Sequence, residues 1–137
     1  MVRLYARAPV RIDFAGGSTD INPFTKLGGA VLNAAINKYV FGQVIKKSDY
    51  TVLKYHAHVP TSSGLGTSGV MNVVWLALAT KFRDKEKLAQ LAFDIEKATG
   101  VVGGKQDQYT GAFGGINFLQ FSDDHVDIEQ LNLDKRF

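Results

Sequence analysis

Apolar and polar positions alternate along the first part of the chain and turn helical further on. From Leu4 to Ala15 the alternation sets Val10, Ile12 and Phe14 on every second position, which predicts extended chain running into a turn at Gly16-Gly17. Beyond Asn22-Pro23, the pair Gly28-Gly29 leads into an apolar run from Ala30 to Ile36. Lys38 to Lys46 then places Tyr39, Phe41, Gln43 and Ile45 against Val40, Gly42 and Val44. Each run predicts a strand. Lys46-Lys47-Ser48-Asp49 reads as a hairpin loop, with Tyr50 to Tyr55 as the returning strand.

From Thr67 the period changes. Val70, Met71, Val73, Val74, Leu76, Ala77 and Leu78 are apolar nearly all round, as in a helix buried on most sides. Asp84 is placed to cap a second helix through about Ala98, where Leu88, Leu91, Ala92 and Ile95 share one face and Gly100 ends it. A third, short helix is expected from Gly104 or Lys105. Ile116 to Phe121 reads as a strand that His125 to Leu131 joins.

A length of 137 residues, 45% hydrophobic and 21% charged, bounds the chain to one globular domain with a core of its own. It has no apolar run long enough to cross a membrane, and Met1 to Tyr5 lacks the apolar stretch of a secretory signal. A cytoplasmic location is expected, and the absence of cysteine agrees with a reducing compartment. The net charge of +3 suits an anionic ligand, but the basic residues are dispersed along the chain. RNA binding would need a basic face with exposed aromatics, which that dispersion does not suggest. Neither a nucleic acid nor a membrane is therefore expected as partner.

The candidate chemistry lies ahead of the first helix. Pro60-Thr61-Ser62-Ser63-Gly64-Leu65-Gly66-Thr67-Ser68-Gly69 sets small residues and hydroxyls against a helix N-terminus. Glycines let backbone N–H groups approach an anion, the helix dipole favours negative charge, and hydroxyls can reach phosphate or a metal. The Gly-Lys-Ser/Thr ending of a P-loop is absent. Taken alone, the segment fits a flexible loop capped by Thr67 or Ser68 better than a phosphate site.

Pro60-x-x-x-Gly64-Leu65-Gly66-x-Ser68 resembles the second signature of the GHMP kinases, the family of galactokinase, homoserine kinase, mevalonate kinase and phosphomevalonate kinase. Ala8-Pro9-Val10-Arg11-Ile12-Asp13-Phe14-Ala15-Gly16-Gly17-Ser18-Thr19-Asp20 resembles the first signature. Gly103-Gly104-Lys105-Gln106-Asp107-Gln108-Tyr109 resembles the block around the catalytic aspartate. The outer blocks, with Phe113-Gly114-Gly115-Ile116-Asn117-Phe118, are most similar to the heptose 7-phosphate kinase and fucokinase-like branch. Ser18 stands where the heptose kinases carry a third glycine.

The resemblance implies an α+β fold, a two-layer sheet-and-helix lobe with a left-handed βαβ unit, and a kinase that uses ATP and magnesium to phosphorylate a hydroxyl of a sugar or sugar phosphate. Pro60, Ser62, Ser63, Gly64, Leu65, Gly66, Thr67 and Ser68 would bind the ATP phosphates, with Ser68 and Glu96 on the magnesium. Asp107 would orient or deprotonate the substrate hydroxyl, assisted by Arg11 and Lys105. Gly17, Thr19, Asp20 and Asp107 would contact the sugar. Bland alternatives stand beside these roles: a solvated ion pair for Glu96, a helix-dipole carboxylate paired with Lys105 for Asp107, and an Asx turn for Asp20.

Two departures accompany the resemblance. Residues 1–137 correspond to the family's N-terminal, ATP-binding domain, and its C-terminal domain has no counterpart here. The connection between Tyr55 and Pro60 is only a few residues, where the family has a longer one. A homodimer or a partner chain supplying the missing lobe is an accompanying expectation. The alternative function is a non-catalytic nucleotide or sugar-phosphate binding module.

Overall fold

The computed structural model describes Met1–Asp134 and Arg136. Its elements are β1 (Val2–Ala15), a 3-10 turn (Phe24–Leu27), β2 (Gly29–Lys46), β3 (Thr51–Ala57), α1 (Thr67–Ala79), α2 (Lys85–Ala98), α3 (Gln106–Phe113), β4 (Ile116–Ser122) and β5 (His125–Leu131). The described residues form one five-stranded sheet with β2 at its centre. One side of β2 carries β1; the other is shared by β3, against Val40–Lys46, and β4, against Gly29–Ala34, with β5 outside β4. All pairings are antiparallel, so β3 and β4 run parallel, and the three helices form the crossover between them. α1 and α3 lie on β1 and β2, and α2 packs on both. This is the expected two-layer α+β arrangement.

The runs 30–36 and 38–46, expected as two strands, form the single strand β2. Pro9 pairs with Tyr39 but Arg11 pairs with Ala35, so β2 fits extra residues opposite Val10. Asn37-Lys38, which looks like a break in the pattern, is part of this bulge. Its effect is to re-aim both strands. Before it, Ala6, Ala8 and Val10 face the helices, as do Val40 and Gly42; after it, Arg11, Asp13, Asn33 and Val31 do. Ile12 and Phe14 consequently turn away and are 41% and 61% exposed, so the alternation of Val10, Ile12 and Phe14 does not mark one buried face.

Two apolar clusters hold the layers together. Val70 and Val74 of α1 pack on Ala8, Val10 and Val40, while Ala89 of α2 and Tyr109 of α3 pack on Val31, Leu119, Phe121 and Val126. On β2, Asn33 falls between Val31 of one cluster and Val40 of the other. The helix α1 fully buries Thr67, Gly69, Val70, Val73 and Val74 and half-buries Met71, Asn72 and Trp75 to Leu78, leaving Ser68 and Ala79 exposed. Helix α2 begins as expected: the Asp84 carboxylate accepts from the N–H groups of Glu86 and Lys87 at 3.0 and 3.1 Å. Such a cap contributes about 1 kcal/mol. No described helix is long and apolar enough to cross a membrane.

Candidate active site

The re-aimed end of β1 carries the first functional side chain. Arg11 donates through Nε and Nη2 to Oδ1 of Asp107, each at 2.7 Å, and through Nη1 to the Gly64 carbonyl, also at 2.7 Å. Its own N–H bonds the Leu65 carbonyl at 3.1 Å. One residue therefore ties β1, the glycine-rich turn and α3 together. Both contacts to Asp107 end on Oδ1, and Oδ2 accepts no hydrogen bond from a described residue.

Asp107 also lies against the start of α1. A side chain at Gly66 would place its Cβ 2.6 Å from Oδ1 of Asp107, and Gly66 has φ of +80°. Only glycine satisfies both conditions. Burial pushes the Asp107 carboxyl above its ordinary range, the neighbouring Arg11 opposes that rise, and the nearby carboxylates Asp20 and Asp13 add to it. The site thus gathers negative charge beside a single guanidinium and the positive end of α1.

The turn itself has left-handed residues at alternate positions, Ser62 (φ 64°), Gly64 (φ 78°) and Gly66 (φ 80°). Such alternation bends the chain so that successive N–H groups can converge on an anion. Thr67 is buried and donates to the Pro60 carbonyl at 3.4 Å. The exposed hydroxyls of Ser62, Ser63 and Ser68 bond no described residue.

Glu96 of α2 reaches the same end of α1. Its Oε1 accepts from Asn72 Nδ2 at 2.9 Å, and its Oε2 accepts from Gln108 Nε2. Asn72 is one helical turn beyond Ser68, so the two share a face of α1, with Cβ atoms about 6 Å apart. Burial raises the Glu96 pKa; the Asn72 amide lowers it, Asp107 raises it again, and the Gln108 amide lowers it. The Asp107 carboxylate is therefore near enough to act on Glu96. Gln108 Oε1 is buried without a partner. For a magnesium ion the donors are one carboxylate and one hydroxyl, and the described residues contain no cluster of three potential acidic, His or Cys ligands. That set fits an ion that keeps waters and takes phosphate oxygens.

The remaining candidates fall into two groups. Asp20 is buried; its Oδ2 accepts the Gln106 N–H at 3.1 Å, at the start of α3. The Thr19 hydroxyl lies 2.7 and 3.0 Å from the carbonyls of Gly16 and Ala30, one of which takes its single proton, and it accepts the Ala30 N–H at 3.1 Å. Gly17 lies against the Asp13 carboxylate. These residues brace the first turn. Lys105 is not brought to Asp107, and it is buried rather than an exposed ion-pair partner. Its ammonium lies 3.1 Å from the Asp124 carbonyl, 3.5 Å from Gln90 Oε1 and 5.0 Å from the Phe93 ring centre, and burial lowers its pKa.

Asn72, Gln108, Asp13 and Gln106 were not anticipated. Gln106 donates to Asp13 Oδ2 at 3.0 Å and accepts from Asn33 at 3.2 Å, which locks α3 to β1 and β2. The flanking glutamines of Asp107, and Asn72 four residues past Ser68, were the available signals.

Residues 29–115 match the family model described as the GHMP kinases N terminal domain. The chain belongs to the GHMP kinase family. The match takes in the glycine-rich turn and Asp107, the two features that the geometry joins. Among GHMP kinase relatives, the chain is 30% identical to D-glycero-alpha-D-manno-heptose 7-phosphate kinase of Campylobacter jejuni, over 88% of this chain and 51% of that protein. It thus spans about half the length of that relative. Among solved structures, a D-glycero-D-manno-heptose 1-phosphate kinase from Bacteroides thetaiotaomicron superposes with a TM-score of 0.88 at 24% identity, over 98% of this chain and 61% of the other. The mevalonate kinase of Methanococcus jannaschii superposes with a TM-score of 0.71 at 11% identity, over 96% and 56%. At those identities the structures report the fold.

Proposed function

We propose that residues 1–137 are the ATP-binding half of a magnesium-dependent kinase that phosphorylates a hydroxyl of a sugar or sugar phosphate, with a heptose phosphate favoured by the Campylobacter relative. The observation that carries this reading is the contact of Asp107 with Gly66 on one side and Arg11 on the other. ATP is the phosphoryl donor. The N–H groups from Ser62 to Ser68 hold its phosphates at the positive end of α1. Asp107 Oδ2 accepts the proton of the substrate hydroxyl as that oxygen bonds to the γ-phosphorus and the bond to the ADP oxygen breaks. Arg11 keeps Asp107 ionised and offsets the charge that develops on the transferring group. Ser68 and Glu96 would hold magnesium, which when bound would neutralise phosphate charge. Asp20 offers its second oxygen to a sugar hydroxyl, and Thr19 and Gly17 hold the loop that presents it.

The test is ADP release from magnesium-ATP across a panel of hexoses, heptoses and their phosphates. Asp107→Asn is expected to lower the rate about 10²–10⁴-fold. Equal release from wild type and variant contradicts the assignment. Because the chain spans about half of its relative, a second reading is a nucleotide-binding module without turnover. Tight magnesium-ATP binding by calorimetry with no ADP release for any acceptor favours that reading.

A further inference from the structure

A concavity of about 530 Å³ lies remote from this site, on the sheet face opposite the helices. Cross-strand register builds it in rows. Arg3 lies beside Ile45 and Val52, Tyr5 beside Gln43 and Lys54, and Arg7 beside Phe41 and His56. The next row adds Tyr39, paired with Pro9, and His58, whose N–H bonds the Tyr39 carbonyl at 3.0 Å. None of these residues is acidic.

The aromatic rings form a connected surface. Phe41 stacks on His56 with centroids 6.3 Å apart and meets His58 at 4.9 Å, while Tyr39 is 6.0 Å from Phe41. The Arg7 guanidinium lies 4.6 Å above the Tyr39 ring. Tyr5 is 67% exposed. Planar rings and guanidinium groups flanked by cations, with no carboxylate among them, complement a polyanion whose bases can stack. A folded duplex presents no such bases.

We propose that this face binds single-stranded RNA. Bases stack on Tyr5, Phe41 and His56, and phosphates pair with Arg3, Arg7 and Lys54. Gln43, between Tyr5 and Lys54, supplies an amide donor and acceptor for the ribose 2′-hydroxyl that DNA lacks. The sequence disperses these cations, but period-two spacing and strand pairing assemble them on one surface.

The probe is a fluorescein-labelled ten-nucleotide oligouridylate, titrated with the chain by fluorescence anisotropy at several salt concentrations. Saturable binding is expected, with a log–log salt slope of about −2, since three neutralised phosphates contribute about −0.7 each. The double variant Arg7→Glu/Lys54→Glu should weaken binding at least about tenfold, while Lys81→Glu/Lys87→Glu, an identical charge change elsewhere, should leave it within about twofold. Tyr5→Ala, at an exposed position, should weaken it about fivefold or more with an unchanged circular dichroism spectrum. The matching oligothymidylate should bind less tightly.

Absence of saturable binding, equal effects of the two double variants, or equal affinity for oligothymidylate would each overturn the proposal. So would a chain that dimerises through this face in sedimentation experiments, with Arg7→Glu breaking the dimer and no oligouridylate bound. None of these readouts depends on kinase activity, so the two proposals fail separately.

Discussion

The two glycine-rich turns of this chain look alike in sequence and differ in how they use their polar groups. In the turn from Gly16 to Asp20, the Thr19 hydroxyl donates to the backbone of Gly16 or Ala30 and accepts from the Ala30 N–H, and Asp20 binds the start of α3. In the turn from Ser62 to Ser68, the hydroxyls of Ser62, Ser63 and Ser68 meet solvent and bond no described residue. The first turn spends its hydrogen-bonding capacity on the fold. The second keeps its capacity for a ligand, and its shape is held from outside by Arg11 and Asp107. A signature rich in glycine and hydroxyls thus serves as a brace or a cradle, and only the partners of its polar atoms distinguish the two.

Substitutions sharpen the contrast. Gly66→Ala should have the largest effect, because it adds a left-handed backbone cost of about 1–2 kcal/mol and drives Asp107 off its position. Loss of the proposed phosphate binding in calorimetry, with a lower melting temperature, is the expected result. Thr19→Val keeps the shape but strips the donated and the accepted hydrogen bond of the hydroxyl, and should cost about 1–3 kcal/mol in urea unfolding. Magnesium-ATP affinity should hardly change. Ser68→Ala should do the reverse, changing unfolding by less than about 0.5 kcal/mol while raising the magnesium requirement about tenfold. A large stability loss in Ser68→Ala, or none in Thr19→Val, would erase the distinction between brace and cradle.

Glu96 gives a subtler test with a defined sign. Its folded pKa lies above the ordinary 4.5, chiefly through burial. Well above the folded value, the ionised side chain carries that desolvation cost in full. As pH falls through the raised value the folded state takes up the proton first, and below the unfolded value both states are protonated and no cost remains. Glu96→Gln removes the cost, and a Gln108 amide turned over keeps the contact by accepting through Oε1 in place of donating through Nε2. With solvent screening of this half-buried group, the variant should melt about 1–3 °C higher at neutral pH, an advantage that fades towards about pH 4. Its magnesium dependence should weaken at the same time, a gain in stability at the expense of the site.

Much of this was legible in the sequence where local periodicity and motif chemistry agree. The Asp84 cap, the helices after Thr67 and Asp84, and the hairpin of β4 and β5 needed no tertiary information. What escaped has a common cause. A two-residue period assumes an uninterrupted strand, and the bulge opposite Val10 reverses the period within β1 and β2. That reversal buries Asn33, turns Ile12 outwards, and aims Arg11 at Asp107. The partners of Glu96 are similarly non-local, since Asn72 and Gln108 come from two different helices. Lys105 misled because its place beside the catalytic block gave no hint that its ammonium reaches back to α2 and the β4–β5 turn. The basic, aromatic sheet face was hidden for the same reason, with its cations spread over two strands.

Paramagnetic broadening by manganese-ATP, read on the amide signals of the isotope-labelled chain, tests whether the hydroxyl-rich turn and the two carboxylates share one ligand site. Signals of Gly64, Gly66, Glu96 and Asp107 should broaden first, while Tyr5 and Phe41 stay sharp. Broadening centred on Tyr5 and Phe41, with Gly66 and Asp107 unaffected, would contradict the account.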